Sequence, residues 1–119
     1  MDHQNADGGW GEDPRSYREA DWVARGASTA SQTAWALLAM IAAGEHDHPA
    51  TARALRWLVE HQRPDGTWDE PWFTGTGFPG DFSINYHLYR LTFPLMALGR
   101  YLRCRAAESD ATHRGGATR

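Results

Sequence analysis

The chain has 119 residues, a length typical of one domain, and 41% of them are hydrophobic, which is enough to form a core. A net charge of −3 and an isoelectric point near 6.0 argue against a nucleic-acid partner bound through phosphate contacts. The single cysteine, Cys104, excludes an internal disulfide framework and favours a reducing compartment. No stretch reaches the roughly 18 apolar residues that a membrane-spanning helix requires.

A seven-residue motif, Gln-x-x-Asp-Gly-x-Trp, begins at Gln4 and recurs 58 residues later. Asp-Gly is a turn signal, and the glycine allows the backbone to take positive φ. We expect each Gln to offer its amide to unpaired backbone groups at a helix end, with the Trp ring packed over that amide. Two unrelated Asp-Gly turns are the alternative, which the match at four positions disfavours. The predicted structural residues are Gln4, Gly8, Trp10, Gln62, Gly66 and Trp68.

The first predicted helix runs from Ser28 or Thr29, either of which can cap it, to about Ala43. Gly44 suits the left-handed position that ends a helix. A helix so rich in alanine can approach its neighbours closely, which predicts an inner, crowded position. The alanines concerned are Ala34, Ala36, Ala39, Ala42 and Ala43.

The second predicted helix begins near Pro49, a residue suited to the first helical position, and ends near Gln62. Its apolar stripe is predicted to comprise Ala54, Leu55, Leu58 and Val59.

The third predicted helix runs from about Phe82 or Tyr86 to about Arg103 and contains Pro94, so it either kinks there or starts close to Pro94. Residues 1–105 are assigned to one domain. Residues 106–119 are small and polar, which predicts a disordered tail.

The repeated motif defines a unit made of an outer helix, a turn, a long loop and an inner helix. Such repetition is typical of stacked helix pairs that bury their faces against neighbouring pairs. We expect the chain to open within such a unit, because the sequence has no outer helix before Gln4.

A helix followed by Gln-x-x-Asp-Gly-x-Trp resembles the QW repeat of the squalene–hopene cyclase and oxidosqualene cyclase family. The segment GTGFPGDFSINYHLYRLTFPLMALGRYL, Gly75–Leu102, is similar to the carboxy-terminal part of bacterial squalene–hopene cyclases. GEDPRSY at Gly11–Tyr17 and ASTASQTAWALLAM at Ala27–Met40 agree with this likeness. The resemblance implies an all-α fold in which inner and outer helices close into an (α/α) barrel.

The resemblance also implies cyclisation of squalene to hopanoid triterpenes without a metal or other cofactor, started by an aspartic acid in an Asp-x-Asp-Asp motif. That motif does not occur in these 119 residues. The family's proteins are isomerases and several times longer than this chain. We therefore expect this chain alone to be inactive, with no catalytic residue of its own.

Cation-mediated cyclisation needs surfaces that stabilise positive charge without supplying a nucleophile, and aromatic faces do so. Phe78, Phe82, Tyr86 and Tyr89 are spaced by 4, 4 and 3 residues, so a helix would present them on one face. An aromatic core stripe would give the same spacing. By resemblance, the two Phe residues of GFPGDF line the cavity, and the two Tyr residues are cavity or supporting residues.

Other candidate residues receive structural interpretations. Trp35 is predicted to be a packing residue, and Asp81 to cap the following helix. His46 and His48, two residues apart beside Asp47, lack a third ligand nearby in the sequence, so we expect a solvated loop and no metal site. No Gly-x-Ser-x-Gly or phosphate-binding motif is present.

Three hypotheses follow. In the first, the chain is a carboxy-terminal fragment of a squalene–hopene cyclase. In the second, it is a subunit of a split cyclase whose other chain carries the acid. In the third, it is a non-catalytic helical module that binds an isoprenoid or lipid. The resemblance further implies a bacterial, cytoplasmic protein with peripheral membrane contact.

Overall fold

The computed structural model describes residues 3–13, 26–72, 75–76 and 83–115. These residues form three helices and one short hairpin, and the predicted all-α class is confirmed. The helices are α1 (Ala30–Ala42), α2 (Pro49–Glu60) and α3 (Tyr89–Gly115). The hairpin pairs β1 (Gly75–Thr76) with β2 (Ser83–Ile84) in antiparallel register, Gly75 opposite Ile84 and Thr76 opposite Ser83.

The ends of α1 and α2 lie where local sequence signals place them. The Thr29 side chain accepts a hydrogen bond from the backbone N–H of Gln32 and caps α1. Gly44, just beyond α1, has a φ of 79°. Pro49 is the first residue of α2, and His48 before it accepts a hydrogen bond at Nδ1 from the Ala50 N–H, at 3.1 Å. His48 is therefore a helix cap, a role that the sequence did not suggest.

Helix α1 lies between the other two helices and packs against both. Ala30 and Ala34 are fully buried, which confirms the crowded position predicted for the first half of this helix. Ala39, Ala42 and Ala43 are exposed, so the close packing does not extend to its end. The buried apolar core consists of Ala30, Ala34, Leu37, Met40, Ala50, Ala54, Trp57, Leu58, Trp68 and Ala97.

The buried face of α2 differs from the predicted stripe. Trp57 is buried together with Ala54 and Leu58, whereas Val59 is 60% exposed. Positions three and four residues apart share a helix face, and the buried residues of α2 from Ala50 onward follow that spacing. The prediction for Val59 was therefore wrong, because the large Trp57 ring sets which side of α2 faces the core.

Helix α3 begins at Tyr89, five residues before the buried Pro94, and so between the two starts that the sequence left open. It continues through Gly115, where a disordered tail was predicted. Alanine is the strongest helix former, and Ala106, Ala107 and Ala111 supply it in this segment. None of the described helices is long and apolar enough to cross a bilayer.

A cluster of four ionisable side chains, which we call the loop–tail cluster, ties the end of α3 to the loop between α1 and α2. His46 Nε2 lies 2.5 Å from Glu108 Oε1. Arg105 Nη1 lies 3.0 Å from Asp47 Oδ1 and 3.1 Å from Glu108 Oε2. The fold thus brings a third possible ligand, Glu108, to His46 and Asp47, which the sequence did not predict. Because Arg105 already pairs with both carboxylates, we interpret the cluster as an ion-pair network.

A buried carboxylate holds the loop after α2 against the N-terminus of α1. Glu70 is only 7% exposed, and its two oxygens accept hydrogen bonds from the backbone N–H and the hydroxyl of Ser31, at 2.9 and 2.5 Å. The first N–H groups of a helix have no partner within the helix, and a negative charge there is favourable. Glu70 therefore fixes where α1 begins relative to the segment that follows α2.

We expect Glu70→Ala to lower the free energy of unfolding by about 1–3 kcal/mol, because it leaves the buried donors of Ser31 without acceptors. Asp69→Ala is the matched control, since Asp69 is exposed and pairs with Arg63 at the surface, where ion pairs contribute little. Urea unfolding followed by tryptophan fluorescence measures both. Equal losses in the two variants would contradict the assigned role of Glu70.

The loop–tail cluster predicts a pH-dependent stability. Its hydrogen bond to Glu108 raises the pKa of His46 above the ordinary 6.5, and the same contact with His46 lowers the pKa of Glu108 below the ordinary 4.5. A raised histidine pKa stabilises the fold below pH 6.5, and this contribution is lost as the pH rises through the folded-state pKa. A lowered carboxyl pKa stabilises it above pH 4.5, and this contribution is lost as the pH falls.

The stability difference between the unaltered chain and His46→Ala should therefore be largest between about pH 4.5 and 6.5 and decrease on either side. Thermal melting followed by circular dichroism across this range tests it. Leu102→Ala, an exposed and non-titrating change on the same helix, is the control. A His46→Ala effect that does not vary with pH would contradict the pairing.

Candidate functional site

The two Gln-x-x-Asp-Gly-x-Trp segments, turn 1 (Gln4–Trp10) and turn 2 (Gln62–Trp68), have the same backbone shape. Gly8 and Gly66 occupy the same left-handed conformation, with φ of 94° and 85°. The Gly8 N–H donates to the Asn5 carbonyl at 2.9 Å, and the Gly66 N–H donates to the Arg63 carbonyl at 2.8 Å. The repeat in the sequence is therefore a repeat in structure.

Side chains close both turns in the same way. Gln4 Nε2 donates to the Gly8 carbonyl at 2.8 Å, and Gln62 Nε2 donates to the Gly66 carbonyl at 3.1 Å. In each turn the aspartate Oδ1 accepts from the backbone N–H two residues later, at 2.9 Å for Asp7 and 3.0 Å for Asp65. Each glutamine amide thus satisfies a carbonyl of its own turn, and that of Gln4 also donates to the Ala50 carbonyl in the first turn of α2, at 2.9 Å.

The two tryptophans anchor their turns by different contacts. Trp68 is 1% exposed, and its indole N–H donates to the Leu58 carbonyl near the end of α2, at 2.7 Å. It is this indole that satisfies an unpaired helix-end carbonyl, the role expected of Gln62. Trp10 is partly buried against the core. Its carbonyl accepts from the Thr29 N–H at 2.9 Å, which places turn 1 at the beginning of α1.

Both turn aspartates have lowered pKa values. Burial alone would raise the pKa of Asp7, because it favours the neutral, protonated form. Hydrogen bonds from Gly9, Ser28 and Trp57, together with the nearby charge of His61, outweigh this effect and hold the pKa below the ordinary 3.8. For Asp65, hydrogen bonds from the Thr67 hydroxyl and N–H hold the pKa below the same value. Both carboxylates therefore favour the ionised, accepting form, which the turn requires.

Four aromatic side chains, which we call the aromatic cluster, meet where α1 and α3 pack together. Trp35 of α1 makes edge-to-face contacts with Tyr89 and Phe93 of α3, with ring centroids 5.8 and 5.4 Å apart. Tyr89 and Phe93 contact each other edge to face at 5.2 Å. Tyr86 stacks on Tyr89 at 4.7 Å and is itself 43% exposed. The cluster thus has a packed side and an open side.

The aromatic cluster contains some of the predicted site residues and adds others. The Tyr86 and Tyr89 rings stack on each other, although Tyr86 precedes α3 rather than lying within it. Trp35, predicted to be a packing residue, contacts Tyr89 directly. Phe93 was missed, and its position four residues after Tyr89 was the signal that could have identified it. Phe78, Phe82 and Asp81 lie outside the described residues.

A cavity of about 450 Å³ lies beside the segment that carries Tyr86. Asn85 and His87, the neighbours of Tyr86 in the chain, line it together with Arg90 and Glu70. Arg90 donates to the Trp68 carbonyl, and Glu70 is engaged by Ser31. Both of these charged groups are therefore held by protein partners.

Comparisons with known proteins converge on one family. The family model for the squalene–hopene cyclase C-terminal domain matches residues 1–103. The squalene–hopene cyclase of Alicyclobacillus acidocaldarius is 62% identical over 91 residues, which cover 76% of this chain and 14% of that protein. The squalene–hopene cyclase of Bradyrhizobium diazoefficiens is 56% identical over 108 residues, 89% of this chain and 16% of that protein.

A third relative has a different name. The dammaradiene synthase of Dryopteris crassirhizoma is 44% identical over 100 residues, 80% of this chain and 15% of that protein. The chain therefore spans about one seventh of the length of the curated relatives it matches.

The matched turns predict different sensitivities to the same substitution. A Cβ at Gly8 would lie 2.9 Å from the Arg53 carbonyl oxygen, whereas a Cβ at Gly66 would meet nothing closer than Gln62 Nε2 at 3.9 Å. We expect Gly66→Ala to lower the free energy of unfolding by about 1–2 kcal/mol, from backbone strain alone. Gly8→Ala should cost clearly more, because it adds a clash with α2. Urea unfolding of the two variants tests this, and equal losses would contradict the docking of turn 1 on α2.

Proposed function

This chain belongs to the squalene–hopene cyclase family, and on that premise we propose that it supplies one wall of the cavity in which a longer cyclase converts squalene to hopanoid triterpenes. The single observation that carries the proposal is the aromatic cluster, because it offers ring faces on a half-open surface. Such faces stabilise a carbocation without donating a nucleophile to it. The family match supports the overall reaction of the proposal. The aromatic cluster supports the part of it assigned to this segment.

Tyr86 and Tyr89 are the described residues assigned to cation stabilisation. Tyr86 stacks on Tyr89 with an interplanar angle of 19°, so only one face of that ring is taken by its neighbour. Tyr89 also contacts Trp35 and Phe93 edge to face, which fixes its orientation. We therefore assign Tyr86 to the substrate side and the other rings to its support. Phe78 and Phe82 remain proposed cavity residues, supported by the GFPGDF resemblance.

The proton that starts the reaction comes from elsewhere in the proposed enzyme. Aromatic rings stabilise positive charge but cannot protonate an alkene, and no Asp-x-Asp-Asp motif occurs in the chain. The described carboxylates that are buried or turn-forming, Glu70, Asp7 and Asp65, are engaged in structural hydrogen bonds. Neither the split cyclase nor the lipid-binding module gains support from the described residues, and peripheral membrane contact stays a prediction.

The isolated chain should give no hopene when incubated with squalene, because it lacks the proton source. Gas chromatography of the extracted products measures this directly. The positive control is a cyclase chimera, in which this chain replaces the aligned segment of the Alicyclobacillus enzyme. Cyclised product from the isolated chain would overturn the predicted inactivity, and no product from a well-folded chimera would count against the proposed function.

Within that chimera, Tyr86→Ala should lower the turnover of squalene by about twofold to thirtyfold, the loss expected for one cation–π contact of about 0.5–2 kcal/mol. Tyr86→Phe, which keeps the ring, should retain most of the turnover and the same products. A melting curve for each variant shows whether the fold is intact. An unchanged rate and product distribution in Tyr86→Ala would remove Tyr86 from the site.

A further inference from the structure

The loop–tail cluster brings three side chains of metal-binding type together. His46, Asp47 and Glu108 each offer one ligand atom, and these atoms all lie within 4.8 Å of one another. His46 Nε2 lies 2.5 Å from Glu108 Oε1 and 3.7 Å from Asp47 Oδ2. The sequence gave no reason to expect a metal, because no third ligand stands near His46 in the chain. The fold supplies that ligand from 62 residues away.

Arg105 does not occupy these ligand atoms. Its Nη1 contacts Asp47 at Oδ1 and Glu108 at Oε2, whereas the oxygens nearest His46 are Asp47 Oδ2 and Glu108 Oε1. Each carboxylate is therefore held by Arg105 through one oxygen and offers the other toward the imidazole. In metal sites, hydrogen bonds from outer groups orient the ligating side chains in the same way. The ion-pair network is thus the arrangement of the cluster without a metal.

The separations of the ligand atoms suit a tetrahedral transition-metal ion. Zn²⁺ lies about 2.0–2.2 Å from histidine nitrogen and carboxylate oxygen, so neighbouring ligand atoms of a tetrahedral site are about 3.3 Å apart. The contact of His46 with Glu108 is shorter than this, and that with Asp47 is longer. The carboxylate side chains are 42% and 69% exposed, which leaves them room to adjust. An imidazole ligand favours zinc over Mg²⁺ or Ca²⁺, which prefer oxygen.

We propose that His46, Asp47 and Glu108 bind a zinc ion that fastens the end of α3 to the loop between α1 and α2. The ion takes the place of the hydrogen between His46 and Glu108, and three protein ligands leave a fourth position for water.

The proposed zinc site is separate from the proposed cyclisation. Glu108 lies 19 residues after Tyr89 on α3, about 28 Å along the helix, so the ion is far from the aromatic cluster. Arg105 and Glu108 also lie beyond residue 103, where the match to the family model ends. The ion therefore has a structural role, and the inference does not rest on the proposed function.

Zinc titration of the full 119-residue chain tests the site. Calorimetry should show a single zinc ion bound per chain. A ligand that binds only the folded state stabilises it, so zinc at about 100 times its Kd should raise the folding equilibrium constant about a hundredfold. Thermal melting followed by circular dichroism measures this rise. The same concentration of Mg²⁺ should leave the melting temperature unchanged, because Mg²⁺ prefers an octahedral set of oxygen ligands.

Substitutions separate a built site from zinc bound by any surface histidine. His46→Ala and Glu108→Gln should each lower the zinc affinity by about tenfold or more, since the loss of even an outer partner of a ligand costs that much. The matched controls are His113→Ala and Asp110→Asn, which change exposed residues of α3 outside the cluster. Both controls should bind zinc as tightly as the unaltered chain.

The calorimetric affinities decide between the outcomes. Losses confined to His46→Ala and Glu108→Gln support the site. Glu108→Gln keeps an oxygen that can accept from His46, so it tests zinc binding even where His46→Ala weakens the fold. The proposal fails if zinc does not raise the melting temperature of the unaltered chain or if Mg²⁺ raises it equally. It also fails if His113→Ala lowers the zinc affinity as much as His46→Ala does.

Discussion

The N-terminus of α1 is the constraint on which the rest of the site depends. A helix leaves its first N–H groups without internal partners, and here Glu70 meets the donor of Ser31. Glu70 follows turn 2 by two residues, whereas turn 1 reaches the same helix end through the Trp10 carbonyl and the Thr29 N–H. One helix end therefore joins both turns. The start of α1 also determines where Trp35 lies, because Trp35 is about one helical turn further along the helix. The position of the aromatic cluster follows from that of Trp35.

Burying a carboxylate is costly unless its oxygens are fully hydrogen-bonded, and Ser31 supplies both an N–H and a hydroxyl to Glu70. The positive end of the α1 dipole favours the same charge. A rigid attachment suits the proposed chemistry, because a ring face stabilises a cation only when it is held at the right distance and orientation. The edge-to-face contacts of Trp35, Tyr89 and Phe93 provide that rigidity within the described residues.

The two turns illustrate how one local structure serves two situations. The two turns contain equivalent hydrogen bonds, because the Asp, Gly and Gln of each motif form them within the turn itself. Their surroundings differ, because α2 covers turn 1, whereas Gln62 and Asp65 of turn 2 are exposed and Trp68 alone is buried. In a stacked repeat each unit contacts its neighbours, so the same turn can meet different surroundings in successive units.

The sequence by itself determined the features that depend on nearest neighbours. Thr29, Gly44 and Pro49 marked the helix ends, and the repeated Asp-Gly pairs marked the turns, because each acts within a few residues of itself. The Tyr86 and Tyr89 rings stack, although Tyr86 lies before α3, so helical spacing is not what brings them together. The roles of Phe78 and Phe82 stay predictions.

Only the tertiary structure decided the contacts between residues far apart in the chain. Trp57 rather than Val59 is buried, Glu70 caps a helix 39 residues away, and Glu108 of α3 pairs with His46 in the loop between α1 and α2. Each of these depends on which faces of α1, α2 and α3 meet, which the spacing of residues within one helix does not determine. Local chemistry fixes the ends of the elements, whereas the burial of polar and aromatic groups is settled only when the elements pack.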